Sequence, residues 1–188
     1  SDATYLVTTT VTLPATNLTL MGFGTAVLDT SGTNSIFKQT NHGAFIRFDG
    51  LKFTGGGPGI EFACEDSMVV YYEYLISNCH FAMDTGIYGI YMVGARDGTI
   101  DHCYFGTGNG VYRSHSNICY INSCIFKGAS NYTGTAIYDN GVGVAYSCGL
   151  SIIDCEILGY DYGVILSRAD DFNISGCTID YNKHSIQL

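Results

Sequence analysis

Ile121-Asn-Ser-Cys-Ile-Phe126 is one copy of a hexapeptide that recurs along the 188-residue chain. The other copies are Phe48-Asp-Gly-Leu-Lys-Phe53, Ile76-Ser-Asn-Cys-His-Phe81, Ile100-Asp-His-Cys-Tyr-Phe105, Ile152-Ile-Asp-Cys-Glu-Ile157 and Ile174-Ser-Gly-Cys-Thr-Ile179. Their fourth position reads Leu51, Cys79, Cys103, Cys124, Cys155 and Cys177, at intervals of 28, 24, 21, 31 and 22 residues. A second feature recurs in phase, a small residue followed by a β-branched one: Gly59-Ile60, Gly89-Ile90, Gly110-Val111, Ala136-Ile137, Gly163-Val164 and Ser185-Ile186. Each period therefore holds at least two strands. A repeat of about 20 to 30 residues built from short strands makes a solenoid, because no unit can bury its apolar face without its neighbours.

Leucine-rich repeats share this period but need a leucine-dominated consensus with an Asn, where this chain has Ile, Phe and Cys. The expected fold is all-β, a right-handed parallel β-helix of about six to seven coils spanning residues 1–188 as one domain. Coils then stack ~4.8 Å apart by parallel strand pairing. Alternation within the hexapeptide points the Cys and the final Phe or Ile inward and the residue between them outward, and a bend after the first Ile turns that residue inward too.

The composition agrees. The chain has 24 Gly, 2 Pro, 15 Tyr, 10 Phe, no Trp and only 13% charged residues, which favours many short strands and turns over helices. The net charge of -9 comes without any run of Lys or Arg, so nucleic acid is not an expected partner. No apolar run reaches the ~18 residues of a membrane span, so membrane insertion is not expected either.

Five of the eight cysteines fall in one slot of the repeat. They read as a stack of reduced thiols in the core, where Cys behaves as a small hydrophobe, and they imply assembly in a reducing cytoplasm. No C-x-x-C pair is present, so no metal site is assigned and no cofactor is expected. Cys64, Cys119 and Cys148 lie outside this ladder and receive no role. The longer coils must expel their extra residues as surface loops, around Glu65 to Glu73 and around Asn131 to Gly134 or Asn140 to Cys148.

The opening, Tyr5-Leu-Val-Thr-Thr-Thr-Val-Thr-Leu-Pro-Ala-Thr-Asn-Leu-Thr-Leu-Met-Gly-Phe-Gly24, resembles the first coil of the pectate-lyase-like superfamily. The hexapeptides resemble the β-helix coils of bacteriophage tailspikes and related polysaccharide-degrading proteins. This resemblance implies a homotrimer on the phage virion, assembled in the host cytoplasm, that binds and often cleaves a bacterial surface polysaccharide. The chain starts without the segment that usually precedes this opening and stops within a coil at Ile186-Gln-Leu188, so a fragment of a longer protein is expected. Thr99-Ile-Asp-His-Cys103 is similar to the "WIDH" segment of pectate lyases, but it lacks the Trp. Asp101 and His102 share their slots with Ser77-Asn78 and Asn122-Ser123, which makes a polar turn ladder the simpler reading.

Candidate chemistry lies one place beyond each small-plus-β-branched pair. That outward column reads Glu61, Tyr91, Tyr112, Tyr138, Ile165 and Gln187, and Tyr91, Tyr112 and Tyr138 form a row on which sugar rings can lie. The same row would also serve as an ordinary aromatic ladder. The next column, pointing inward, reads Phe62, Met92, Arg113, Asp139, Leu166 and Leu188. Its opposite charges form a partly buried salt bridge, or both emerge beside the tyrosines. If they emerge, Asp139 is the candidate general acid or base and Arg113 the clamp for a substrate carboxylate. Glycoside hydrolysis needs a second carboxyl group ~5 to 9.5 Å from the first, and no such pair stands out in the sequence. The expected function is that of a tailspike-type receptor-binding protein that depolymerises a bacterial polysaccharide; the alternatives are a non-catalytic adhesive β-helix and a secreted lyase or epimerase.

Overall fold

The computed structural model describes all residues except 1–2, 25, 31, 41–44, 64–72, 130 and 142–146. The described residues form strands and turns with no helix, in three parallel sheets of eight, eight and seven strands. Every strand pairs with the strand three places along in the chain, so each coil contributes one strand to each sheet. The sequence pattern accounts for two strands per coil; the third, exemplified by Gly98–Asp101 and Asn117–Asn122, precedes the hexapeptide and shares its first two residues. The opening stretch forms the first coil, through strands Thr4–Val7, Val11–Thr12 and Leu18–Met21.

The hexapeptide is the corner between the third sheet and the first. Its third residue is Gly50, Asn78, His102, Ser123, Asp154 or Gly176, and all six have φ between 50° and 69°. That left-handed bend reverses the alternation once, so the first residue and the fourth both face the core. Glycine, Asn and Asp tolerate this region better than most residues. Phe48, Ile76, Ile100, Ile121 and Ile152 are fully buried beside Cys79, Cys103, Cys124 and Cys155. Each thiol points at the carbonyl two residues back in its own chain, and Cys103, Cys124 and Cys155 also reach Ile76, Ile100 and Ile121 of the coil below. The six described cysteines of the ladder and of Cys119 are free thiols. Burial pushes the Cys103 and Cys119 thiols up from their ordinary range, so both remain protonated. Cys64 and the side chain of Cys148 lie outside the described residues.

The sixth hexapeptide position supplies a continuous aromatic stack. Phe53, Phe81, Phe105 and Phe126 lie ring over ring at 4.8, 4.9 and 4.5 Å, with interplanar angles of 11°, 7° and 1°. This stack explains the small residue of the second motif. A Cβ on Gly89 would sit 2.9 Å from the Phe81 ring, and one on Gly110 would sit 2.6 Å from Phe126. At Gly89 and Gly110 even a Cβ would collide with the stack, so these slots take glycine before the β-branched residue enters the core.

Of the expected loops, the stretch at 131–134 is a turn carrying Tyr132 and Gly134 at positive φ, closed by the Thr135 amide donating to Asn109 Oδ1 at 2.9 Å. The expected loops at 65–73 and 140–148 fall largely on residues outside the description; Glu73 begins a strand and Asn140 ends one.

Candidate functional site

The second sheet presents the tyrosines as its outward column. Lys38, Glu61, Tyr91, Tyr112, Tyr138, Ile165 and Gln187 are direct register partners on seven successive coils. Tyr91 and Tyr112 are stacked at 4.6 Å and 5°, while Tyr138 meets Tyr112 edge-on at 5.5 Å and 88°. Asn140 donates to the Tyr112 hydroxyl at 3.0 Å, fixing that ring. Tyr88, at the start of the same strand as Tyr91, adds a fourth ring 5.4 Å from Tyr112. Burial, then the neighbouring Tyr138 and Tyr112, push the Tyr88 hydroxyl well above its ordinary pKa, so it remains a neutral donor. The four rings are half-buried, so part of each remains at the surface, although Tyr91 and Tyr112 cover one face of each other. Sequence reasoning found three of these rings; Tyr88 sits three residues before the Tyr91 slot, where no repeat position is aromatic in the adjacent coil.

Arg113 and Asp139 are placed differently from a catalytic pair. Both are 0% exposed, and Arg113 Nη1 donates to Asp139 Oδ2 at 2.9 Å. Arg113 Nη2 also donates to the Ser116 carbonyl at 2.7 Å. Of the two arrangements the sequence allowed, the structure forms the interior salt bridge, and the pair does not emerge beside the tyrosines. The strand runs on regularly through Ser114, so the alternation that points Tyr112 outward points Arg113 inward. A polymer on the outer face therefore does not reach either group.

The structure brings together two other carboxylates. Asp29 follows the first-sheet strand positions Val27 and Leu28, and its register partner Thr54 pairs in turn with Ala82, two residues before Asp84. Asp29 and Asp84 line a groove of about 570 Å³ with Thr33, Thr54, Gly55 and Gly56. A Cβ on Gly55 would lie 2.7 Å from Asp29 Oδ1, and one on Gly56 would lie 3.4 Å from Asp84 Oδ2. The two glycines thus hold the groove open between the acids. Two coil steps of ~4.8 Å and two residues of ~3.3 Å along the strand direction set their backbones about 12 Å apart, so only side chains leaning into the groove would bring the carboxyl groups toward the ~6.5–9.5 Å of inverting glycoside hydrolysis. Among the described residues neither acid has an ion-pair partner. Asp29 precedes the first hexapeptide and Asp84 lies three residues past the second, so alignment of the repeats on each other passes over both. The groove opens at the turn from the first sheet to the second, and Asp84 is four residues from Tyr88 on the shared coil.

His102 occupies the left-handed bend, with its ring 63% exposed and Nδ1 2.9 Å from Asp101. The hydrogen bond to Asp101 raises its pKa. Its neighbours in the slot, Asn78 and Ser123, are bend residues as well, in keeping with a turn ladder. No cluster of three or more metal-ligating side chains is present among the described residues.

Three parallel sheets wound coil on coil, with the interior ladders and one aromatic outer strip, define a parallel β-helix protein. The family model described as "Right handed beta helix region" matches residues 15–188, and the chain belongs to that family. No curated protein and no solved structure matches it. The fold is consistent with polysaccharide binding or degradation.

Proposed function

We propose that this chain is the glycan-recognising part of a phage tailspike-type protein that binds and cleaves a bacterial surface polysaccharide. The observation that carries the reading is the open strip of Tyr88, Tyr91, Tyr112 and Tyr138, joined through one coil to the groove between Asp29 and Asp84. Tyrosine rings offer apolar area to the C–H faces of sugars and hydroxyls to their polar edges. In the groove, one carboxyl group gives its proton to the glycosidic oxygen as the C1–O bond breaks. The other takes a proton from the water that bonds to C1, and the pair then re-equilibrates with solvent. The reading includes a homotrimer on the virion, assembled in the host cytoplasm, in which the outward Ile118 and Tyr120 of the third sheet supply apolar surface to a neighbouring copy.

A second reading is favoured by one observation. On the tyrosine face the carboxylate in register, Glu61, is held by Lys38 at 2.8 Å and by Ser35 at 2.5 Å. A purely adhesive β-helix would use that face without the groove.

The test is to incubate the protein with purified bacterial capsular polysaccharides, following polymer size by gel filtration. Shortening of one polymer, lost by roughly a thousandfold in both Asp29→Asn and Asp84→Asn, establishes the cleaving reading. Co-elution without shortening leaves the adhesive one, and neither result removes the glycan reading.

A further inference from the structure

We infer that the polymer this surface takes is uncharged; the inference rests on the reading of the tyrosine face and groove as a glycan site. All eight Lys and Arg residues lie among the described residues, so the cationic side chains can be accounted for one by one.

On the tyrosine column the one cation is Lys38, already tied to Glu61. The outward column beside it runs through Val93, Ser114, Asn140 and Ser167, register partners that carry no charge. On the other side stand Tyr88, Thr135 and Tyr162, again neutral, with Tyr162 stacked on His184 at 4.7 Å. The face that would hold sugars is thus made of rings, hydroxyls and amides, with the Lys38–Glu61 ion pair at one end of the column. The groove is lined by carboxylates, threonines, glycines and an alanine, with no Lys or Arg.

The remaining cations are placed elsewhere. Arg113 is inside the core with Asp139, Arg47 is bound to Asp49 on the third sheet, and Lys183 faces Asp161 at 3.6 Å. Arg96 and Arg168, at the corner leaving the second sheet, are each already engaged. Lys52 is on the outer face of the first sheet, in register with His80. Lys127 is in register with Leu158 on that same sheet, and neither it nor Lys52 lines the groove.

A polymer of uronate, sialate or phosphate repeats brings one negative charge to nearly every contact. Recognition of such groups uses charge-assisted hydrogen bonds from Arg or Lys, and the cations at the edge of this surface, Lys38, Arg96 and Arg168, already have partners. The net charge of -9 adds repulsion at low ionic strength. An uncharged repeat meets neither obstacle. It also lacks the uronate whose acidified C5 proton is removed in elimination, so cleavage on this surface releases reducing ends and no unsaturated sugar.

The experiment measures binding of the intact chain to purified bacterial polysaccharides with uncharged and with acidic repeats, each at 20 and 500 mM NaCl, by biolayer interferometry. The expected result is binding confined to polymers with uncharged repeats, with affinity changing less than about twofold across the two salts. Binding of any acidic polymer at 20 mM NaCl overturns the inference while the glycan reading stands. Binding of no polymer in either group, with Tyr112→Ala indistinguishable from the parent, overturns both.

Discussion

Arg113 and Asp139 are joined at 2.9 Å across adjacent coils with neither side chain exposed, and Arg113 is the largest fully buried side chain of the described residues. Two charges withdrawn from water attract strongly but each forfeits its hydration, so the pair's net contribution is small while the loss of one partner is not. Asp139→Ala should destabilise by about 3–5 kcal/mol, read as a lower urea midpoint, and the double variant Arg113→Met/Asp139→Leu should recover most of that loss. Loss of polymer cleavage in Asp139→Asn with an unchanged midpoint would instead return this pair to the chemistry.

Cys103 sits in the middle of the thiol ladder, 2% exposed, between Cys79 and Cys124. Cys103→Asp places an uncompensated carboxyl in that column and should cost about 3–5 kcal/mol, much of a typical domain's stability. Cys103→Ala should cost about 1 kcal/mol. A soluble Cys103→Asp variant with native melting temperature would show that the ladder does not face the core.

Tyr112 is stacked on Tyr91 and touched edge-on by Tyr138, so it lies at the centre of the strip. Tyr112→Ala should weaken polysaccharide binding by about tenfold or more while lowering stability by about 2–3 kcal/mol, the worth of its three half-exposed ring contacts. Tyr112→Phe loses the bond from Asn140 and should retain most of the affinity. A stability loss of this size with binding intact would mark the strip as packing.

Asp49 gathers Asn78 Nδ2 at 2.9 Å, Ser77 Oγ at 3.1 Å and Arg47 Nη2 at 2.8 Å, tying two coils together. The hydrogen bond from Asn78, with those from Ser77 and Arg47, holds its carboxyl below the usual range against the opposing effect of burial. A depressed folded pKa means the stabilisation is fully present above the ordinary value of about 3.9 and is lost as pH falls through the folded value. The urea midpoint of Asp49→Asn should therefore fall less steeply than that of the parent between pH 5 and pH 2.5. An identical slope would show that Asp49 gains nothing from its partners.

The residues by themselves determined the solenoid, the inward thiols and aromatics, and the tyrosine column. Stacked identical slots must repeat, and strand alternation fixes which side of the sheet each slot takes. Every partner of Tyr112 in the register was legible this way, from Glu61 to Gln187. The third sheet was not, because its strands share residues with the hexapeptide and are separated from it only by the left-handed bend at Asn78, His102 and their counterparts. Alternation assigned Arg113 and Asp139 inward, but whether the strand continued far enough to bury them depended on its pairing with both neighbours. The approach of Asp29 to Asp84 was decided by tertiary structure alone. They belong to coils two steps apart, occupy no repeated slot, and line one groove together with Gly55 and Gly56 of the intervening coil, where a Cβ would meet the Thr30 and Gly32 carbonyls as well as the two acids.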